Sequence, residues 1–187
     1  MDGEPDRRID LWKYLKKLST CPPMSKETLY AFSNAVYEAY EGDNREKYTK
    51  AMRNYQDWVI LASPPLYGDL VHIDHVYRGL FALRDGDTKL ARLELLKAGR
   101  PPAGAVISSF GPKCLLAREL LKVGERQPVL DFLQWCKAFW LLPVRLLRTP
   151  KWVRTIRRGG IPDFGGNLYY GLGYDLRVGK GGYPREG

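Results

Sequence analysis

Apolar residues recur every three or four positions along most of this chain, a spacing that places them on one face of an α-helix. The pattern is clearest over residues 69–100, DLVHIDHVYRGLFALRDGDTKLARLELLKAGR. It predicts two consecutive helices, at about 70–84 and 88–98, separated by a tight turn at Gly86. The apolar positions that we expect these two helices to bury are Ile73, Val76, Leu80, Leu83, Leu90, Leu93, Leu95 and Leu96.

Residues at the ends of these two helices match the chemistry of helix termini. Asp69 and Asp87 stand where N-caps are expected, because an aspartate side chain accepts hydrogen bonds from the free N–H groups of a first turn. Gly86 and Gly99 stand where a left-handed residue commonly ends a helix. These four residues predict that the segment is a helical hairpin.

The same spacing predicts six further helices, at about residues 9–18, 26–41, 45–61, 112–123, 126–140 and 151–158. The segment 101–111 carries prolines, glycines and two serines, which predicts a loop. Thr149 and Pro150 are interpreted as the N-cap and first position of the last helix. The sequence therefore predicts an all-α fold of about seven to nine helices.

Small residues recur at fixed distances from the turn glycines. Seven positions before Gly42, Gly86 and Gly124 stand Ala35, Gly79 and Ala117, and five positions after them stand Lys47, Ala91 and Val129. Small side chains are needed where two helix backbones approach to about 8–10 Å. This pattern indicates a degenerate threefold repeat, whose first copy fits poorly in its second helix.

The positions that carry a family resemblance are Gly79, Gly86, Ala91, Leu95 and Ala98. They resemble the tetratricopeptide pattern, whose repeat is about 34 residues long. The resemblance implies antiparallel hairpins stacked into a short right-handed solenoid with a C-terminal capping helix.

A second resemblance covers about half of the chain, from about His72 to Tyr170. It is carried by LLKAGRPP, SSFGPKCLLARELLKVGER, VLDFLQWCKAFW and WVRTIRRGGIPDFGGNLYY. These stretches are similar to an uncharacterised group of bacterial proteins with tetratricopeptide-like repeats, which brings no function with it. The chain departs from that group at residues 143–147, which are unusually apolar and basic, and in its long tail.

The domain boundary is expected near residue 170. Residues 1–170 are interpreted as one helical domain, with its C-terminal part anchored by Ile161, Phe164 and Leu168. Residues 171–187 are rich in glycine, have no helical period and are expected to be irregular.

Cysteine usage and the absence of targeting signals favour a cytoplasmic protein. Cys21, Cys114 and Cys136 are odd in number and widely spaced, so they indicate buried reduced thiols rather than a disulfide framework or a zinc site. The charged N-terminus is not typical of a signal peptide, and no apolar run is long enough to span a bilayer.

Basic residues dominate the C-terminal part of the domain. The formal net charge of the chain is +9, and no acidic residue lies between Asp131 and Asp163. The basic residues in this interval are Lys137, Arg145, Arg148, Lys151, Arg154, Arg157 and Arg158.

Four interpretations of this basic stretch stay open. The favoured one is a capping helix whose arginines complement its own C-terminal dipole and whose tryptophans complete the core of the solenoid. The stretch also suits an acidic protein partner. Because Trp140, Trp152 and Leu146 interleave with the charges, the stretch also suits nucleic acid, with bases stacked on the aromatic rings. An anionic membrane surface is the least favoured of the four.

A groove lined with basic residues is the second candidate site. In the tetratricopeptide family the first helix of each hairpin lines a concave surface. The resemblance implies that Tyr40, Arg84, Arg118 and Lys122 lie on that surface here. Such a groove suits an acidic peptide or a C-terminal carboxylate, although ordinary surface charge accounts for the same residues.

Patterns typical of enzymes are weak. His72 and His75 are three positions apart on one predicted helix, but zinc needs two further ligands, so we interpret them as packing or solvated histidines. Ser108 and Ser109 have no nucleophile setting, and no phosphate-binding glycine loop is present. The sequence therefore predicts a non-catalytic protein-binding scaffold or adaptor without cofactor or metal. The alternative is a nucleic-acid-associated protein that binds through its basic C-terminal helix.

Overall fold

The computed structural model describes residues 26–62, 64–141 and 144–168. The predicted helix at 9–18, Cys21 and the tail at 171–187 lie outside these residues. Within the described residues the fold is all-α and contains no strand. Its α-helices are Lys26–Glu41 (α1), Arg45–Ala62 (α2), Tyr67–Arg84 (α3), Thr88–Ala98 (α4), Ala105–Phe110 (α5), Leu115–Lys122 (α6), Arg126–Cys136 (α7) and Val144–Arg157 (α8).

Three helix pairs follow one another along the chain: α1 with α2, α3 with α4, and α6 with α7. The residues that join them, 42–44, 85–87 and 123–125, each include one residue with positive φ, at Asp43 (48°), Gly86 (79°) and Gly124 (88°). At the start of α4, Asp87 accepts a hydrogen bond of 2.8 Å from the N–H of Leu90. The predicted hairpin turn and its cap are therefore confirmed.

Each pair packs on the next one in the chain. Helix α2 contacts α3, both α3 and α4 contact α6, α4 also contacts α7, and α7 contacts α8. Aromatic rings join several of these interfaces: Phe32 stacks on Tyr55 at 4.7 Å between α1 and α2, and Tyr40 meets Phe81 at 5.3 Å between α1 and α3. The buried residues form a single core cluster that extends from α1 to the segment after α8.

A short helix, α5, replaces part of the predicted loop. Asp69 is not the N-cap of its own helix, because α3 begins at Tyr67. Its carboxylate instead accepts hydrogen bonds from the N–H groups of Val106 (3.2 Å) and Ile107 (2.6 Å), at the start of α5. The group that stabilises this helix therefore comes from 38 positions away, and nothing in the local sequence of 101–111 reveals it.

Glycines allow this close approach. A Cβ atom added to Gly68 would lie 2.2 Å from the carbonyl oxygen of Pro102, and one added to Gly104 would lie 2.6 Å from the backbone nitrogen of Asp69. The start of α3 and the segment before α5 are thus in backbone contact.

Helix ends in the C-terminal half differ from the predictions. Helix α7 ends at Cys136, α6 begins at Leu115, and α8 begins at Val144, well before the predicted start at 151. Thr149 is therefore not an N-cap but a buried residue inside α8. Pro150 also lies inside α8, where its missing N–H removes one intrahelical hydrogen bond.

Several packing predictions for the central hairpin also need correction. Leu90 and Leu93 are exposed by 42% and 49%, whereas Leu95 is fully buried. Gly79 meets Leu116 of α6, whose side chain would lie 2.2 Å from an added Cβ atom. Its small size therefore serves the contact with the following hairpin. Gly99 has a φ of −76° and is not left-handed.

The segment after α8 is anchored as predicted at two of three positions. Phe164 and Leu168 are buried, but Ile161 is 45% exposed. Asn167 is the anchor that the sequence analysis missed. Its side-chain N–H groups donate to the carbonyl oxygens of Phe110 (3.1 Å) and Pro112 (2.9 Å).

Among the helices of the described residues, none has the length and apolar character needed to cross a bilayer.

Candidate functional site

An open groove of about 830 Å³ lies on the described surface, bounded by α2, α3 and α4. Both polar and apolar side chains line it. They are Arg45, Tyr48, Thr49, Met52, Arg53, Gln56, Tyr67, Leu70, Val71, Asp74, His75, Arg78, Phe81, Ala82, Asp85, Leu90 and Glu94. We call it the α2–α4 groove.

Asp74 is the centre of the first polar group in this groove. It accepts hydrogen bonds from the hydroxyl of Tyr48 (2.8 Å) and from the guanidinium of Arg78 (2.8 Å). Burial and the neighbouring Asp74 carboxylate raise the pKa of Tyr48 well above its ordinary value. The phenol therefore stays protonated at physiological pH and serves as a fixed donor.

Glu94 is the centre of the second polar group. Its side chain is nearly buried, and its oxygens lie 2.7 Å from Nδ1 of His75 and 2.7 Å from the ammonium of Lys97. Burial acts to raise the pKa of Glu94, but the hydrogen bonds from Lys97 and His75 outweigh it, and the pKa is lowered. Glu94 is thus a carboxylate that holds the His75 ring in one orientation.

Side chains at the edges of the groove are more exposed and have fewer partners than those at its centre. Tyr67 and Leu90 are exposed by 38% and 42%. Arg53, also exposed, makes no hydrogen bond or ion pair with any residue that the structure describes. The groove therefore combines a polar floor of fixed geometry with apolar and cationic edges, an arrangement that suits binding.

Nucleophilic groups are held in structural roles. Burial raises the pKa of Cys136 and of Cys114, so both thiols stay protonated. The Ser109 hydroxyl donates to the carbonyl oxygen of Ala105 in its own helix. No group of three or more potential metal ligands occurs among the residues described.

The two histidines of the predicted pair have separate partners. Nδ1 of His72 lies 2.8 Å from the carbonyl oxygen of Ala98, and Nε2 accepts the N–H of Lys113 at 2.8 Å. His72 is therefore a buried packing residue, while His75 lines the groove.

The four residues of the predicted basic groove do not line the α2–α4 groove. The Arg84 guanidinium lies 4.1 Å from the centre of the Tyr40 ring and 3.4 Å from the Asp43 carboxylate. Arg118 and Lys122 both bond Glu119, at 2.9 and 3.0 Å. Asp43 and Glu119 therefore offset much of the positive charge expected there.

The basic stretch divides into two groups. Arg148 bonds the Asn167 side chain at 2.7 Å, and Arg145 donates to the carbonyl oxygens of Lys137 and Trp140. The Lys137 ammonium donates to the side-chain oxygen of Gln134 at 2.6 Å. The other four side chains of the stretch are exposed and make no hydrogen bond or ion pair to any described residue; they are Lys151, Arg154, Arg157 and Arg158.

The tryptophans of this stretch are not surface residues. Trp140 and Trp152 are buried, stack on each other at 5.7 Å, and the indole N–H of Trp152 donates to the carbonyl oxygen of Asp163. Both rings therefore belong to the core, as the interpretation of the stretch as a capping helix expects, and neither is available to stack on bases.

Sequence reasoning missed the residues that form the α2–α4 groove. Asp74 and Arg78 have the i,i+4 spacing of a helical ion pair, so that pair was visible in the sequence. Tyr48 and Glu94 were not, because they come from two other helices and meet Asp74 and His75 only through the packing of the hairpins.

No protein-family model, curated protein or solved structure matches this chain significantly.

Proposed function

We propose that this protein is a non-catalytic adaptor that holds a segment of a partner protein in the α2–α4 groove. The observation that carries the proposal is the groove itself, whose polar groups are already oriented by one another and whose edges expose Tyr67, Leu90 and Arg53. Groups held in place before binding lose little freedom on binding, which favours affinity.

The packing of the hairpins supports a tetratricopeptide-like solenoid as the scaffold. Each helix pair contacts the next in chain order, and left-handed glycines occupy matching turns at Gly86 and Gly124. Buried small residues, Ala91 and Ala117, lie at positions that the repeat pattern assigns to close helix contacts, and the buried Gly79 makes such a contact with the following hairpin. A solenoid of this kind presents grooves between successive helices to its partners.

The chemistry of the groove defines the segment that it accepts. Arg53, which has no ion-pair partner among the described residues, favours an acidic side chain, while Tyr67 and Leu90 favour an apolar one. The proposed ligand is therefore a short peptide segment that carries an acidic and an apolar residue.

The nucleic-acid alternative has less support. Bases need exposed aromatic rings on which to stack, and both tryptophans of the basic stretch are buried. The exposed cations of α8 remain available for phosphates, but they provide charge alone.

A matched pair of leucines tests the groove. A photo-crosslinking residue at position 90 identifies the partner by mass spectrometry, and its affinity is then measured by titration. Leu90→Asp should weaken binding at least about tenfold, equivalent to about 1.4 kcal/mol. Leu93→Asp, an equally exposed change on the same helix outside the groove, should leave the affinity within about twofold.

Two further results bear on the proposal. Arg53→Glu should weaken binding and reduce its dependence on salt, because it removes a charge that faces the acidic residue. Equal effects of the two leucine substitutions, or none from either, would exclude the α2–α4 groove as the binding site.

A further inference from the structure

Helix α8 exposes one face that is apolar at its first half and basic at its second half. Leu147, Lys151, Arg154 and Arg158 follow one another at spacings of four, three and four residues, so they form one stripe along the helix. Leu146, Pro150 and Arg157 form the adjoining stripe. We call this surface the basic–leucine face, defined by Leu146, Leu147, Lys151, Arg154, Arg157 and Arg158.

The opposite side of α8 attaches the helix to the rest of the fold. Thr149, Trp152 and Ile156 are buried against the core, and Arg148 is bound to Asn167. The fold therefore fixes which side of α8 faces outward, and the basic–leucine face is not needed to attach the helix.

The leucines are unusual for a surface. Leu146 and Leu147 are exposed by 59% and 69%, and Leu141, just before the helix, is exposed by 62%. Leu141 directly follows Trp140, whose carbonyl oxygen accepts a hydrogen bond from Arg145, so it lies beside the start of α8. Exposed leucines grouped at one end of a helix indicate an interaction surface.

The charges beside them are unopposed. The four cations of the face make no ion pair with any residue in the described part of the chain, and no acidic residue occurs between positions 131 and 163. At 1.5 Å per residue, the stretch from Leu147 to Arg158 spans roughly 16 Å. Apolar and cationic groups therefore follow one another along a single outward face of α8.

We propose that the basic–leucine face docks this protein on the surface of an anionic phospholipid bilayer. The leucines enter the boundary between headgroups and acyl chains, and the four cations contact lipid phosphates. Interfacial helices bind by this combination of apolar burial and attraction to anionic lipids. The exposed leucines favour a bilayer over nucleic acid as the partner. Nucleic acid would contact the cations and leave the leucines in water.

Sedimentation of the full chain with phospholipid vesicles tests the proposal at physiological ionic strength. The protein should bind phosphatidylcholine vesicles that contain phosphatidylserine and bind pure phosphatidylcholine vesicles only weakly. Each basic residue near the membrane surface contributes substantially to the attraction for anionic lipids. Lys151→Gln combined with Arg154→Gln should therefore lower the partition coefficient on the order of thirtyfold. Leu146→Ser combined with Leu147→Ser should lower it at least about tenfold.

Matched control variants distinguish vesicle binding by the basic–leucine face from binding through overall net charge or nonspecific apolar contact. Lys50→Gln combined with Lys89→Gln removes the same charge from exposed positions elsewhere, and Leu93→Ser removes an exposed leucine elsewhere. Both should bind vesicles within about threefold of the parent, since neither alters the face. Circular dichroism should show equal helicity in all variants, because every change is at a surface position.

Three results would overturn the proposal. One is equal partition into neutral and anionic vesicles. Another is an equal loss on substitution of Lys50 and Lys89, which would assign binding to net charge. The third is tight binding of a single-stranded RNA oligonucleotide that the leucine substitutions do not change, with no vesicle binding by the parent.

Discussion

His72 should make the stability of this protein fall steeply as the pH drops below 6.5. The ring is completely buried on α3, where it joins the end of α4 to the segment before α6 through Ala98 and Lys113. Burial and the nearby Lys113 charge lower its pKa from 6.5 to about 4, although the hydrogen bond to Ala98 acts in the opposite direction. Nε2 already accepts the N–H of Lys113, so a proton on that nitrogen would displace this hydrogen bond.

The size of the effect follows from the two pKa values. The folded state favours the neutral ring, so the contribution is complete above the unfolded pKa of 6.5 and is lost as the pH falls toward the folded pKa of about 4. Below pH 4 the total loss is about 3 kcal/mol, and at pH 5 about 2 kcal/mol has already been lost. Because the ring is fully buried, solvent screening does not reduce this figure.

Urea unfolding of the parent and of His72→Asn at pH 7, 6 and 5 isolates the contribution of His72. Asparagine keeps one donor and one acceptor but does not titrate. Because it does not fill the space of the buried ring, the variant should be less stable at pH 7. The difference in unfolding free energy between the two proteins should then shrink by about 2 kcal/mol between pH 7 and pH 5. Other groups, including the carboxylates of Asp69 and Glu94, are present in both proteins and cancel.

A constant difference across this pH range would refute the reasoning. It would mean that His72 takes up a proton as readily in the folded state as in the unfolded state, as a ring open to water does. An NMR titration of the His72 ring would then show a midpoint near pH 6.5, whereas the buried ring should stay neutral down to about pH 4.

Four other substitutions test the packing, each measured as the unfolding free energy in urea. Gly111→Ala should cost at least about 3 kcal/mol and Gly86→Ala only about 1 kcal/mol. Both glycines have positive φ, but only at Gly111 would the new Cβ meet the Trp140 ring, at 2.4 Å. Equal losses of unfolding free energy in the two variants would show that the contact with Trp140 does not matter. Asp69→Ala should cost about 1–2 kcal/mol, since the N–H of Ile107 loses its acceptor, and faster hydrogen exchange at Ile107 would confirm the cause. Asn167→Ala should cost about 3 kcal/mol, because the carbonyl oxygens of Phe110 and Pro112 lose the side-chain N–H donors of Asn167. A loss below 1 kcal/mol would show that water takes the place of these donors.

Local signals in the sequence were enough to predict the central hairpin. Asp87, Gly86 and the apolar spacing all act within a few residues of the turn, so the turn and cap could be read directly. The buried position Leu95 was also predicted from spacing alone. Leu90 and Leu93 were predicted wrongly because helical spacing cannot show which side of α4 the neighbouring hairpins cover.

Contacts between distant residues could not be predicted from the sequence. Asp69 looks like the cap of α3 but serves α5, because Gly68 and Gly104 let the two segments meet. The α2–α4 groove depends in the same way on three helices that come together in the fold. Trp140 and Trp152 are part of a basic stretch in the sequence, yet both lie in the core, while the orientation of α8 leaves Leu146 and Leu147 outside.

Asn167 makes the order of synthesis matter for the second half of the fold. The first two hairpins contact their neighbours in the chain, so they are able to pack as the polypeptide leaves the ribosome. The carbonyl oxygens of Phe110 and Pro112, by contrast, pair with a side chain made 57 and 55 positions later. Nascent chains arrested before residue 167 should therefore have a protease-resistant first half, whereas the segment around residues 110–112 gains its full protection only when this asparagine emerges.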